Sequence, residues 1–287
     1  MKLLRVGEPG HETPAVLHQG VIRDTSEHVI DHDAMFFGTG GLERLAGLLE
    51  TRGHLLPAVE PGTRIGPPIA QPHQLLCIGL NYADHARESG AETPTEPIVF
   101  NKAPNTMVGP DDDVLLPPGA EKVDWEVEVG IVIGRRARYL SDPSRAGAHI
   151  AGYVLSNDVS ERHYQLERGG QWVKGKSAET FNPTGPWLVT PDEIEDVNAI
   201  GLTLDVNGER RQDGSTSDLI FGIEHLVWYL SQFMVLEPGD LINTGTPAGV
   251  GLGMEPPTYL VEGDVMELAA DGLGTQRQVC RLSLIHI

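Results

Sequence analysis

Between Asp124 and Ile133 the chain alternates strictly, and that alternation constrains everything around it. Trp125, Val127, Val129, Ile131 and Ile133 form an unbroken apolar row, while Asp124, Glu126 and Glu128 open the opposite one. A strand sends successive side chains to opposite faces, so this stretch reads as a strand with one bulky apolar face and one face that begins with three acids. Alternate side chains on one face lie roughly 7 Å apart, close enough for three carboxylates in a row to repel. A solvated edge is the ordinary way to tolerate such a row. The bulk of the apolar face argues instead for a core strand, and a further acid, Asp158, ends a second apolar-flanked segment, Tyr153-Val-Leu-Ser-Asn-Asp158. Carboxylate oxygens from separate strands are natural donors to a hard divalent cation such as Mg²⁺ or Mn²⁺. A metal site is the expectation.

A chain of 287 residues has room for one large domain, or for a catalytic domain with a small appendage. Its 21 Lys and Arg against 41 Asp and Glu leave a formal charge of −20, a field that repels phosphate backbones and argues against nucleic-acid binding. No apolar stretch approaches the ~20 residues of a membrane span, and the first residues show no signal-peptide pattern. A cytoplasmic protein with no membrane partner is therefore expected. The two cysteines, Cys77 and Cys280, are far apart, and the apolar run Leu75-Leu-Cys-Ile78 marks Cys77 as a buried thiol rather than half of a disulfide.

Residues 1–70 read as a small N-terminal domain. Strand-like pieces at Leu3 to Val6 and Val16 to Ile22 lead to Leu42 through Leu49, spaced as a short amphipathic helix ending near Gly53, and then to a proline-rich crossing from Pro57 to Pro72. Residues 71–282 read as the catalytic domain, and residues 283–287 are set aside as a candidate non-native tail. In the catalytic part Gln74 to Gly79 is a strand, followed by a helical turn over Asn81 to Glu88. Leu202, Leu204 and Val206 alternate into Asn207-Gly208, a hairpin signal. Ser217 or Asp218 is expected to cap a helix carrying Leu219, Ile223, Leu226, Val227 and Leu230, and the last strands are expected at Tyr259 to Val261 and Val265 to Leu268. Strands outnumber helices, so the class is mainly β, within α+β.

Gly170-Gln-Trp-Val-Lys-Gly-Lys-Ser177 fits the spacing of a phosphate-binding loop. Such a loop needs a strand before it and a helix starting at Lys-Ser, whereas Glu161 to Arg168 looks helical and the residues after Ser177 include Pro183 and Pro186. Nucleotide binding is rejected, although Lys176, in a glycine-flanked loop, can reach an anionic substrate as a point charge. His85 and Glu88 are three apart and share a helix face. They suit a general base with an orienting carboxylate, although the same pair is common on helix surfaces. The remaining histidines show no zinc-like spacing, and no Gly-x-Ser-x-Gly elbow occurs.

Several segments, in order, resemble the fumarylacetoacetate hydrolase family: Gly79-Leu-Asn-Tyr-Ala-Asp-His-Ala-Arg-Glu88, Asp124 to Glu128, Asn157-Asp-Val-Ser-Glu-Arg162, Gly175-Lys-Ser177 with Thr180-Phe181, Gly185-Pro-Trp187, Pro238-Gly-Asp240 and Thr244-Gly-Thr-Pro-Ala-Gly-Val-Gly251. They span roughly residues 72–275. The resemblance implies a mixed β-sandwich roll, a homodimer, and Mg²⁺ or Mn²⁺ held by Glu126, Glu128 and Asp158. It implies that His85 and Glu88 sit on a lid-like helix and activate water, with Lys176 beside the reacting groups. Gln165 and Thr246 match substrate-contacting positions; Tyr82 and Arg162, within these motifs, and Lys102, after the segment Ile98-Val-Phe100, join them as candidate substrate-binding residues. Larger members carry an extra aspartate ligand before the histidine that this chain lacks, a position left for water.

The activity implied is hydrolytic cleavage of a carbon–carbon bond in a 2,4-dioxo acid, of the acylpyruvate or 2,4-dioxo-3-deoxy sugar acid type. Oxaloacetate decarboxylation, ureidoglycolate lysis and hydroxydienedioate isomerisation are alternatives on the same scaffold. A non-catalytic metal- or ligand-binding homologue would be favoured by loss of His85, Glu88 or Lys176, and all three are present.

Overall fold

The computed structural model describes residues 1–88, 90 and 92–283; the rest of the candidate tail, residues 284–287, lies outside the described residues. In chain order the strands are β1 (Lys2–Val6), β2 (Thr13–His18), β3 (Val21–Asp24), β4 (Ile65–Gly66), β5 (Leu75–Gly79), β6 (Ile98–Lys102), β7 (Met107–Val108), β8 (Val114–Leu116), β9 (Val123–Asp124) and β10 (Val127–Ile133). They continue as β11 (Ile150–Asn157), β12 (Ser160–Glu161), β13 (Asn182–Pro183), β14 (Leu188–Val189), β15 (Gly201–Val206), β16 (Glu209–Ser215), β17 (Leu241–Asn243), β18 (Val265–Ala270) and β19 (Gly274–Leu282). The helices are α1 (Ala34–Gly38), α2 (Gly41–Arg52), α3 (Ala83–Glu88), α4 (Val173–Lys176) and α5 (Ile223–Phe233).

Two sheets organise the fold. The larger runs β3-β2-β1-β14-β11-β10-β17-β5-β6, with β4 beside β1, and is mixed because β17 lies parallel to β5. The smaller runs β16-β15-β18-β19-β8. Strands dominate this α+β arrangement, a mixed β-sandwich roll. β1 pairs with β14, so the strands of residues 1–70 continue the larger sheet.

β10 lies in the middle of that sheet, and every one of its residues is buried. Its odd-numbered apolar row, Trp125 included, packs into a core cluster with Leu204 and Met266 of the smaller sheet and Leu226 of α5. The even-numbered row starts with carboxylates and continues as Gly130 and Val132, the latter in a second cluster with Phe36 of α1 and Leu45 of α2. The acidic row is thus not a solvated edge, because both faces of β10 are covered. The long strand read from the sequence is also interrupted. Val123–Asp124 pairs with β12 and Val127 onward pairs with β11, leaving Trp125 and Glu126 between the two ladders.

Two further departures from the sequence reading have physical causes. The helix expected from Ser217 or Asp218 begins only at Ile223, with Gly222 at its N-cap. A single 3-10 turn, Thr216–Asp218, capped by the Ser215 side chain, comes first. The buried Asn81 side chain holds the bend between that turn and the helix: its Oδ1 accepts from the Phe221 N–H at 2.8 Å, and its Nδ2 donates to the Phe221 and Thr244 carbonyls at 3.0 and 2.8 Å. At the C-terminal end, Tyr259 to Val261 is not a strand, and the longest strand, β19, was not expected. Its inward positions include Gln276 and Gln278, buried amides that hide the apolar alternation.

The proline-rich crossing is fastened by His32, fully buried, whose Nδ1 lies 3.1 Å from the Pro68 carbonyl. A carbonyl partner requires the Nδ1–H tautomer. Burial holds this imidazole down at about 4 from an ordinary 6.5. The unfolded chain therefore takes up a proton that the folded chain refuses, and stability present above about pH 6.5 is lost as pH falls toward about 4. Replacing His32→Gln is expected to shrink the stability loss between about pH 7.5 and about pH 5 by about 2 kcal/mol. Urea unfolding at the two pH values measures this, and an unchanged pH dependence would refute it.

Candidate active site

Glu126, Glu128 and Asp158 meet where the β10–β11 ladder opens, with an oxygen of each within 4.8 Å of the others. The register explains the meeting. Val127 pairs with Asn157, so Glu126 and Asp158 are the next positions outward, and the Asp158 N–H donates to the Glu126 carbonyl at 2.9 Å. Glu128 lies two residues inward on the same face. All three are buried.

Three buried cations answer this charge. Lys176, at the end of α4, donates through Nζ to Glu126 Oε2 at 2.7 Å and to Asp158 Oδ2 at 3.0 Å. Arg162 places Nη2 2.7 Å from Glu126 Oε1 and donates through Nε to Asp124 Oδ2 at 2.8 Å. Lys102 donates to Asp158 Oδ1 and to the carbonyls of Phe181 and Val159 at 2.6 and 3.1 Å. Burial alone would raise the Glu126 carboxyl, but Lys176 and Arg162 bring it down to about 2. Glu128 accepts the Gly245 N–H at 2.7 Å. Burial, then the charges of Asp158 and Glu126, push its carboxyl well above the usual range. An all-oxygen donor set with unmet demand for positive charge fits a hard divalent ion.

Beside the cluster stands α3. His85 Nδ1 lies 3.6 Å from Glu88 Oε2, one turn along the same face. Both oxygens of Glu88 accept the Gly249 N–H at 3.0 Å. Gly253 permits that close approach, since a Cβ there would stand 2.2 Å from Glu88 Cγ. Asp124 grips the same loop, accepting from the N–H groups of Gly251 and Leu252 at 2.7 and 3.1 Å. The first of the three acids is therefore an anchor for the loop and for Arg162, and it does not join the carboxylate trio.

A cavity of about 210 Å³ is lined by Glu126, Glu128, His85, Arg162, Gln165, Lys176 and Thr246. The rest of its wall is apolar, including Leu80, Phe100, Leu166, Trp172 and Leu252. Drug-sized ligands occupy about 300–1,000 Å³, so this space suits a smaller metabolite. Four residues singled out from the sequence do not line it: Glu88 and Asp158, whose contacts are given above, and Tyr82 and Lys102. Tyr82 is fully buried, with its hydroxyl unpaired and its phenol pushed up by burial. Lys102 reaches Asp158 from within the protein and is itself fully buried. Thr246 lines the cavity, yet its hydroxyl donates to the Val127 carbonyl at 2.9 Å and accepts from Gln212 Nε2 at 2.7 Å. Gln165 turns Oε1 to Arg162 Nη1 at 3.0 Å. α4 ends at Lys176 instead of beginning there, which removes the phosphate-loop geometry. Trp172 and Phe100, in contact edge to face at 5.2 Å between centroids, were not foreseen as lining residues; the aromatic beside the glycine-flanked lysine was the available signal for Trp172.

The family model described as fumarylacetoacetate (FAA) hydrolase C-terminal matches residues 74–281. A Burkholderia multivorans protein carrying a provisional hydrolase name is 48% identical over 283 residues, covering 98% of this chain and 99% of that one. The solved fumarylacetoacetate hydrolase from Exiguobacterium antarcticum superposes with a TM-score of 0.86 at 33% identity, over 99% of this chain and 100% of that one. Maleylpyruvate hydrolase from Sphingobium sp. SYK-6, solved with manganese(II) and pyruvate, superposes with a TM-score of 0.81 at 25% identity, over 99% of this chain and 100% of that one.

Replacing Lys102→Met removes an ammonium from Asp158 and leaves two buried carbonyls without a donor. Breaking a buried pair in this way is expected to cost about 3–5 kcal/mol of stability, read as a lower urea midpoint at neutral pH. A loss below about 1 kcal/mol would show that Lys102 does not hold the cluster together.

Proposed function

The chain belongs to the fumarylacetoacetate hydrolase family, and on that premise we propose that it is a divalent-metal-dependent hydrolase of 2,4-dioxo acids. It would break the carbon–carbon bond beside the distal carbonyl, yielding a pyruvate-type acid and a second carboxylic acid. The observation that carries this reading is the buried carboxylate trio, two of whose members, Glu126 and Glu128, line a small cavity together with His85. Glu126, Glu128 and Asp158 would hold Mg²⁺ or Mn²⁺, in keeping with the manganese ion and pyruvate of the Sphingobium maleylpyruvate hydrolase structure. When bound, such an ion supplies Lewis-acid polarisation of the substrate's 2-oxo group.

The chain's own residues supply the proton transfers. Nδ1 of His85 faces Glu88, which leaves Nε2 to take a proton from water as the water oxygen attacks the distal carbonyl. Glu88, fixed by the Gly249 N–H, keeps the ring oriented and stabilises the imidazolium. The bond then breaks with its electron pair on the carbon beside the 2-oxo group, and the imidazolium returns the proton there. One water is consumed and two acids leave. Lys176 sets positive charge next to the groups on which negative charge collects.

Chelated protein re-supplied with Mg²⁺ or Mn²⁺ is expected to release pyruvate and a carboxylic acid in equal amounts from an acylpyruvate. Turnover of oxaloacetate alone, with CO₂ as product, would assign decarboxylation instead. His85→Ala is expected to lower kcat by about 10²–10⁴ while Mn²⁺ affinity by calorimetry stays put; near-normal turnover would remove His85 from the base role. Asp158→Asn is expected to lose Mn²⁺ binding and activity together, and retained Mn²⁺ affinity would break the ligand assignment. In Gly253→Ala the new methyl displaces Glu88, so kcat is expected to fall at least about tenfold; an unchanged kcat would separate Glu88 from the chemistry.

A further inference from the structure

The lysine and arginine side chains lining the cavity are Arg162 and Lys176, and acids already engage both. Arg162 directs Nε to Asp124 and Nη2 to Glu126, with Nη1 on Gln165 Oε1. Lys176 bridges Glu126 and Asp158, with the face of Phe100 5.0 Å away. Among the described residues no lysine or arginine of the cavity is left for a second anionic group on a substrate. The remaining wall is apolar. Trp172 closes against Gly79, where a Cβ would stand 2.5 Å from the ring carbon Cζ3, and meets Phe100 edge to face, with Leu166 and Leu252 beside them. Gln165 adds one neutral polar group: because Arg162 requires an acceptor, Oε1 faces the guanidinium and the amide nitrogen is left to donate to a neutral oxygen.

Resting on the reading of the site as one for 2-oxo acids, we infer that the group beyond the distal carbonyl is an uncharged alkyl or aryl chain seated against Trp172 and Phe100. A second carboxylate, as in maleylpyruvate or an oxaloacetate-like acid, would be stripped of water against aromatic rings without a partner, which is strongly unfavourable. The overall charge of −20 adds a field that disfavours a dianion over a monoanion.

Two 2-oxo acids that differ at the far end test this without turnover: 2-oxohexanoate, with an alkyl tail, and 2-oxoglutarate, with a carboxylate tail. Calorimetry on Mg²⁺-loaded protein is expected to show 2-oxohexanoate binding at least about tenfold tighter, since each buried methylene contributes about fourfold. Equal or tighter binding of 2-oxoglutarate would overturn the inference. Trp172→Ala is expected to weaken 2-oxohexanoate while leaving pyruvate, which has no tail, unaffected; an equal loss for both would show that Trp172 supports the fold and not the tail. Trp172→Arg is expected to tighten 2-oxoglutarate at least about tenfold over the unaltered protein. The predicted binding order combined with no hydrolysis of any acylpyruvate would sink the hydrolase reading and leave the tail preference standing.

Discussion

Four carboxylates buried in one small volume set the terms for the rest of this structure. Asp124, Glu126, Glu128 and Asp158 are each 5% exposed or less, and charge buried without partners is untenable. The fold therefore brings two lysines and an arginine into the interior from three separate segments: β6, the turn after β12, and α4. Each long side chain in turn needs its remaining donors met, which is why Lys102 also takes the carbonyls of Val159 and Phe181. Backbone near the cluster leaves the regular ladder for the same reason. The Val127 N–H donates to Gln212 Oε1 at 2.9 Å, and the Glu126 N–H to Asn157 Oδ1 at 3.2 Å. Side-chain amides replace strand partners where the sheet must open to aim its acids.

The same economy of contacts ties α3 to the cluster. Glu88 and Asp124 hold one loop, residues 249–253, from two sides, and Trp125 adds a third grip through Nε1 on the Gly249 carbonyl at 3.0 Å. Asp124 reaches onward through Arg162 to Glu126. His85 itself lies 3.6 Å from Glu88, so the hydrogen bonds hold the Glu88 end of its helix, which spans only six residues.

Much of this was legible in the sequence because periodicity carries it. A period of two placed Glu126 and Glu128 on one face, a spacing of three placed His85 with Glu88, and apolar flanks marked Asp158 as interior. What stayed hidden depends on contacts remote in the chain. Nothing local tells that Lys102 turns inward to Asp158, 56 residues on, or that Asn81 delays α5 by gripping Phe221, 140 residues away. β19 escaped because Gln276 and Gln278 occupy inward positions, where they serve the Leu155, Gly185 and Pro110 carbonyls. Buried polar residues that complete another strand's hydrogen bonding look, in one dimension, like surface.

The contact between Gly79 and Trp172 has a consequence for how relatives of this protein can diverge. Position 79 has no room for a methyl group while the indole is in place, so bulk at the two positions is exclusive: one can grow only if the other shrinks. Substitution at 79 and at 172 should then be correlated across an alignment, glycine accompanying large aromatics and larger residues accompanying small or flexible ones. Such paired exchange would be a compact record of how a common scaffold re-tailors its cavity from one lineage to the next.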